Sequence, residues 1–349
     1  MSDMSLPAPP SADLLRRLRG AITPWSVAAL MLVLLVLAAR DQAVQSAAFT
    51  GDALLGVAPF LLLSVGVAAW AGATGADALI ARAFAGAPLP MIALAALAGG
   101  LSPFCSCGVI PLIAALLAMG VPLAPVMAFW LASPVMDPSM FVMTMGVLDL
   151  DFAVAKTLAA VGLGLFGGLV THLLARGGAL ANPLRDGVGN GGCGAASVRA
   201  PKPVMWRFWA DPVRRARFAH EGWKSARFLG GWLTLAFVLE SLMLAYIPAQ
   251  SITAMLGGSG LGPIAVATLV GVPAYLNGYA ALPLVGGLID QGMSPGAGLA
   301  FLVAGGVTSI PAAVAVWALA KPRVFALYIA LSLTGAFAAG LLFQGWIGT

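Results

Sequence analysis

The chain has 349 residues, a formal net charge of +5 and only 9% charged side chains, while 60% are hydrophobic before its 43 glycines are counted. Soluble domains carry roughly 25% charged residues, so there is too little charge here to cover a soluble surface. An ordinary cytosolic enzyme, a disordered chain and a nucleic-acid binder are excluded, and a polytopic α-helical membrane protein is indicated.

Residues 1–21 form a short polar tail that carries Arg16, Arg17 and Arg19. A leading transmembrane helix is expected over 22–40. Apolar segments follow at about 53–73, 88–102, 104–119, 124–147 and 153–175. After the polar connection 176–223 come 228–247, 258–273, 276–290, 296–319 and 324–346. The runs are continuous rather than alternating, which argues against a β-barrel. Several are shorter than the ~20 residues that cross a bilayer core, so they either span obliquely or re-enter. Three cysteines are too few for a disulfide scaffold.

Of the 18 Lys and Arg residues, 10 lie between Arg176 and Arg227, against Asp186, Asp211 and Glu221. Cytoplasmic loops of membrane proteins are rich in Lys and Arg, so this loop and the N-terminal tail are expected in the cytoplasm. The C-terminus is then expected in the periplasm, and the membrane is expected to be a bacterial inner membrane.

The chain repeats itself. A shift of 172 residues lays Pro111 on Pro283, Gly120 on Gly292 and Ala128-Phe129 on Ala300-Phe301. The same shift carries every apolar segment of 52–175 onto one of 224–347 without a gap. Repeat one starts outside and ends inside at Arg176, so it crosses an odd number of times. Repeat two therefore has the opposite orientation. The expected fold is all-α: two inverted-topology repeats with broken or short central helices, plus the leading helix, as in secondary transporters.

Three places carry chemistry. In Ser102-Pro103-Phe104-Cys105-Ser106-Cys107-Gly108, Pro103 breaks a helix and the cysteines fall at the next helix start. Unpaired amides and a positive helix end favour thiolate there. Cys105 and Cys107, flanking Ser106, could clasp one soft ion or thiophilic centre, or they are small buried hydrophobes. In repeat two the same step reads Val272-Pro273-Ala274-Tyr275-Leu276-Asn277-Gly278-Tyr279, again a proline-broken helix start, with Asn277 and Tyr279 opposite the cysteines. In Ser133-Pro134-Val135-Met136-Asp137-Pro138, two prolines interrupt a segment near its middle. Ionisable groups at membrane depth mark function by default, so Asp137 is a candidate to carry a coupling proton, to bind a cation or to cap the half-helix that follows. Its counterpart in repeat two is Ser309, beside Thr308. Glu240 is a second candidate coupling residue inside an apolar segment. Lys156 and His172 lie near segment ends, where long side chains reach the interface.

No G-x-x-x-x-G-K-[ST] loop, H-E-x-x-H motif or dinucleotide fingerprint occurs, so neither an enzyme nor a cofactor is expected. The readings left open are export of a small thiophilic solute, an anion permease or channel built on opposed helix N-termini, and a membrane scaffold acting through the basic loop.

Pro103-Phe104-Cys105-Ser106-Cys107-Gly108-Val109-Ile110-Pro111, then Gly120, Ala128-Phe129 and Ser133-Pro134, resembles a bacterial predicted-permease family. Ala281-Leu282-Pro283-Leu284, Gly292 and Ala300-Phe301 fit it too. That family includes exporters of trivalent organoarsenicals and copper/zinc efflux permeases. The resemblance covers about 50–349 and implies an inner-membrane permease whose Cys105 and Cys107 bind a thiophilic substrate or soft metal ion. The chain departs from the arsenical-type pattern Ser-Thr-Pro-Gln-Thr-Gly by placing Asp137 in that stretch. Membrane lipid is the other expected partner.

Overall fold

The computed structural model describes residues 23–75, 87–102, 109–178, 180, 182–185, 204–246, 260–274 and 278–347. Thirteen α-helices occur among the described residues, in two matching series after a leading helix. That helix, α1 (Pro24–Ala38), opens on a capping box in which Thr23 and Ser26 satisfy each other's amides.

The first series is α2 (Arg40–Thr74), α3 (Pro88–Leu101), α4 (Val109–Ala118), α5 (Leu123–Ala132), α6 (Pro138–Val147) and α7 (Leu150–Ala175). The second is α8 (Pro212–Tyr246), α9 (Leu261–Ala274), α10 (Gly278–Asp290), α11 (Pro295–Thr308), α12 (Ile310–Leu319) and α13 (Pro322–Ile347). The bounds of α2 and α8, of α6 and α12, and of α7 and α13 differ by 172 at both ends. The turn glycines obey the same shift. Gly120 and Gly292 adopt φ of 88° and 101°, a region open to glycine at little cost.

Packing repeats as well. A methyl on Gly99 would lie 2.7 Å from the Phe129 carbonyl oxygen, and one on Gly271 would lie 2.7 Å from that of Phe301. Small residues let membrane helices approach this closely, and dispersion contacts between them replace a hydrophobic drive that lipid cannot supply. The central helices α5 and α11 are buried along nearly their whole length.

The two longest pairs of mates lie against each other and run antiparallel. On α7 and α13, Phe152 meets Phe343 edge-on at 5.1 Å, while the Gly335 and Gly167 positions face Leu163 and Leu331. On α2 and α8, Arg214 donates to the carbonyls of Ala73 and Thr74, Gly222 faces Ala69, and Phe237 packs among Phe49 and Ala53. The series also interlock crosswise, with α6 packed on α10 and α12 on α4.

Helix α8 begins at Pro212, well inside the stretch whose polarity reads as loop. Its first three turns carry Arg214, Arg215 and Arg217, good helix formers that hydropathy alone misses. Helix α2 likewise starts at Arg40, ahead of its apolar run. Among the described residues, three stretches are long and apolar enough to cross a bilayer: Leu150–Ala175, Pro295–Leu319 and Pro322–Ile347. Leu37, Leu55, Leu62, Leu158, Leu173 and Leu342 are all exposed. Such a spread of outward leucines suits contact with lipid and would be an aggregation liability in water.

Candidate functional site

Among the described residues, each series has an interrupted membrane segment. In the first, α5 ends at Ala132. Pro134 has no N–H to continue the ladder, and the chain turns through Ser133–Val135. Asp137 is extended (φ −143°, ψ 168°), as a residue before proline prefers. Its Oδ1 accepts from the backbone amides of Ser139 (2.8 Å) and Met140 (2.9 Å) and from the Ser139 hydroxyl. The cap expected of this residue is therefore present, and it starts α6. In the second series α11 ends at Thr308, Ser309 is extended in ψ (152°), and α12 resumes with Pro311 in its first turn. Thr308 Oγ1 returns to the Ala304 carbonyl at 2.6 Å. Ser133, Thr308 and Ser309 are all buried.

Two contacts bring other segments to these breaks. Ser102 follows α3 and immediately precedes the Pro103–Gly108 motif. Its hydroxyl donates to the Gly99 carbonyl (2.8 Å) and shares a 2.9 Å hydrogen bond with the Ser133 hydroxyl. The first break is thus tied to the chain position where the cysteine motif begins. Tyr328, on α13, joins the two breaks. Its ring packs on Trp130 of α5 at 5.0 Å between centroids, and its hydroxyl donates to the Val307 carbonyl at the end of α11. Sequence reasoning missed both Trp130 and Tyr328, because neither lies in a motif.

Lys156 departs from its expected placement. Near a segment end it should reach the interface, but it is 1% exposed in α7. Among the described residues, the charge acting on it is that of Asp137. No hydrogen bond or ion pair joins it among the described residues. It stands 172 residues before Tyr328, and that coincidence was the available signal. Glu240 is buried on the face of α8 shared with Leu233 and Phe237, which pack on α2. No hydrogen bond or ion pair reaches it among the described residues. His172 is half-buried, and Asp290 is exposed at the end of α10.

Cys105, Ser106, Cys107 and Asn277 lie outside the described residues. Tyr279 falls in the first turn of α10, and its side chain lies outside the described set. Among the described residues no group of three His, Cys, Asp or Glu could hold a metal ion. Neither of two surface cavities touches the breaks. One, of about 400 Å³, is an apolar groove between α7 and α13, with Phe166, Leu342 and Trp346 in its walls. The other, of about 480 Å³, lies between Trp25 and Trp223.

A comparison with protein families matches residues 42–345 to a family described as a predicted permease. The chain belongs to that family of predicted permeases. No curated protein and no solved structure matches it. The matched region spans both helical series of the permease and leaves out α1. It includes both broken segments, the stretch of Cys105 and Cys107, and the buried Lys156.

Proposed function

We propose that the permease is a secondary transporter of two inverted repeats in a bacterial plasma membrane, exporting a small thiophilic solute such as a trivalent arsenical or soft metal ion. The observation that carries this reading is the junction at the centre. Broken segments at matching steps of both series are linked through Tyr328, and Ser102 ties one of them to the start of the Cys105-Ser106-Cys107 motif. Paired interrupted helices at repeat mates are the usual pointer to a transport site, where freed backbone groups meet the cargo. The antiparallel contacts of α2 with α8 and of α7 with α13 support inversion of the repeats.

In this reading Cys105 and Cys107 bind the solute, with Ser106, Ser133, Asn277, Tyr279, Thr308 and Ser309 around it. A soft ion prefers thiolate over the oxygen ligands that surround it. Asp137 and Glu240 are the candidate coupling carboxylates. Export proceeds by alternating access with proton coupling.

Orientation follows from charge. The Arg185 backbone and guanidinium bond to Leu319 and Ala320, and the Arg214 guanidinium bonds to the end of α2. Arg185 thus lies beside the Lys321–Arg323 turn, and Arg214 beside the end of α2. By the positive-inside rule the sides that carry these basic residues are cytoplasmic.

The test is metal and metalloid sensitivity of a deletion strain, complemented by wild type or by Cys105→Ser/Cys107→Ser. The panel holds arsenite, methylarsenite, copper, zinc and cadmium. Rescue by wild type and not by the double variant is the expected result and names the solute. Equal rescue by both overturns the thiol reading and leaves an anion path through the opposed helix starts.

A further inference from the structure

Lys156 is an ammonium-bearing side chain buried at 1% exposure inside a helix long and apolar enough to span a membrane. It is the seventh residue of α7, about 9 Å along the axis from the helix start at 1.5 Å per residue. A buried charge in a span is costly and persists where it is used. Among the described residues, one charge acts on it. Helices α3, α5, α6 and α11, which pack on α7, have no ionisable side chain. Helix α13, also packed on α7, carries Arg323 in its first turn and Tyr328. The Asp137 carboxylate, fixed at the start of α6 by three donors to one oxygen, is the charge that acts on Lys156.

The second repeat shows what this position does when no charge is wanted. Tyr328 stands there, equally buried, and satisfies itself by donating to Val307 beside the second break. Asp137 is matched by Ser309. The first break thus carries Lys156 and Asp137 where the second carries Tyr328 and Ser309.

We propose that Lys156, buried in α7 where α6 and its Asp137 cap pack on that helix, is the proton-carrying group of the permease, loading and releasing one proton per cycle at the break between α5 and α6. The inference rests on the transport reading but on no particular substrate. In the step itself one N–H bond of the ammonium breaks and the electron pair stays on Nζ. The proton passes to water on one side, and the neutral amine takes a proton from the other side. Lysine can do this, whereas arginine stays charged. An anion site is the weaker use of the same residues, because Asp137 cancels the charge that would attract an anion.

The experiment has two arms on the full-length permease in detergent or liposomes. The first compares thermal unfolding of wild type and Lys156→Arg between neutral and alkaline pH. The only difference between them that titrates there is Lys156. A stability difference that changes with pH is expected, and one that stays constant overturns the inference. This arm needs no substrate. The second measures methylarsenite movement in liposomes. Lys156→Arg and Lys156→Tyr, the latter copying the second repeat, should lose pH-gradient-driven uptake to the level of empty liposomes while keeping methylarsenite counterflow. Gradient-driven uptake by Lys156→Arg equal to wild type overturns the inference and assigns Lys156 a fixed charge for anions or for folding. If wild type moves no methylarsenite, the thiophilic reading falls, and a pH-independent stability difference in the first arm still overturns the inference.

Discussion

Lys156 and Tyr328 occupy the same step of the two repeats, 172 residues apart, and both are 1% exposed. One bears an amine, and the Asp137 charge acts on it. The other is neutral and bonds to the Val307 carbonyl while stacking on Trp130. The two halves thus share a backbone plan and differ in the chemistry placed at the break.

Tyr328→Phe keeps the ring on Trp130 and removes the donor to Val307. Losing a buried hydrogen bond and leaving a carbonyl unpaired costs about 1–3 kcal/mol. A lower unfolding temperature is expected, and Trp130→Ala should lower it further, because a large buried side chain leaves a cavity worth about 3–5 kcal/mol. Thermal unfolding of the purified variants checks both. No change for Tyr328→Phe would show that the second break does not depend on this bond.

Asp137→Ala should remove the cap of α6, at about 0.5–2 kcal/mol. Asp137→Asn keeps an acceptor for the Ser139 and Met140 amides and should retain most of that stability. Its charge is gone, so it separates capping from coupling. Asp137→Asn more stable than Asp137→Ala, with transport lost in both, is the expected pattern, checked by thermal unfolding and transport of the two variants.

The two close approaches make a paired prediction. Gly99→Leu and Gly271→Leu each drive a side chain into a backbone carbonyl 2.7 Å from the added carbon. Overpacking of this kind costs about 1–3 kcal/mol or more, since the carbonyl cannot move aside as a side chain would. The control is Gly56→Ala, which meets nothing within 4 Å and replaces a helical glycine. It should stabilise by about 0.5–1 kcal/mol through helix propensity. Similar losses at Gly99 and Gly271 would confirm equivalent packing of the two repeats, and a loss at one alone would deny it.

Gly120→Ala and Gly292→Ala place a Cβ at φ of 88° and 101°. Left-handed backbone costs an L residue about 1–2 kcal/mol. Both variants should unfold at lower temperature by similar amounts, since each turn leads into a central helix. Calorimetry on the detergent-solubilised protein reads the shift.

Much of this architecture was legible in the chain. Composition determined the membrane class, because a surface with so few charges can face only lipid. The 172-residue shift determined which helices are mates, and Pro134, Pro138 and Pro311 determined where segments break, because a ring without an N–H cannot continue the ladder. Asp137 as a cap followed from its place before a proline. Other features were hidden from a local reading. Hydropathy could not find the first turns of α8, which are helical through propensity and through the bonds of Arg214 to α2. Nothing local distinguishes Lys156 from a lysine that reaches the interface. Its burial depends on which face of α7 meets α3, α5 and α13, and that is set by contacts far apart in sequence. Trp130 and Tyr328 meet for the same reason. The sequence by itself determined periodicity, breaks and repeat, which are properties of neighbouring residues. Only the tertiary structure decided which side chains share the centre, because antiparallel packing of mates joins residues nearly 200 positions apart.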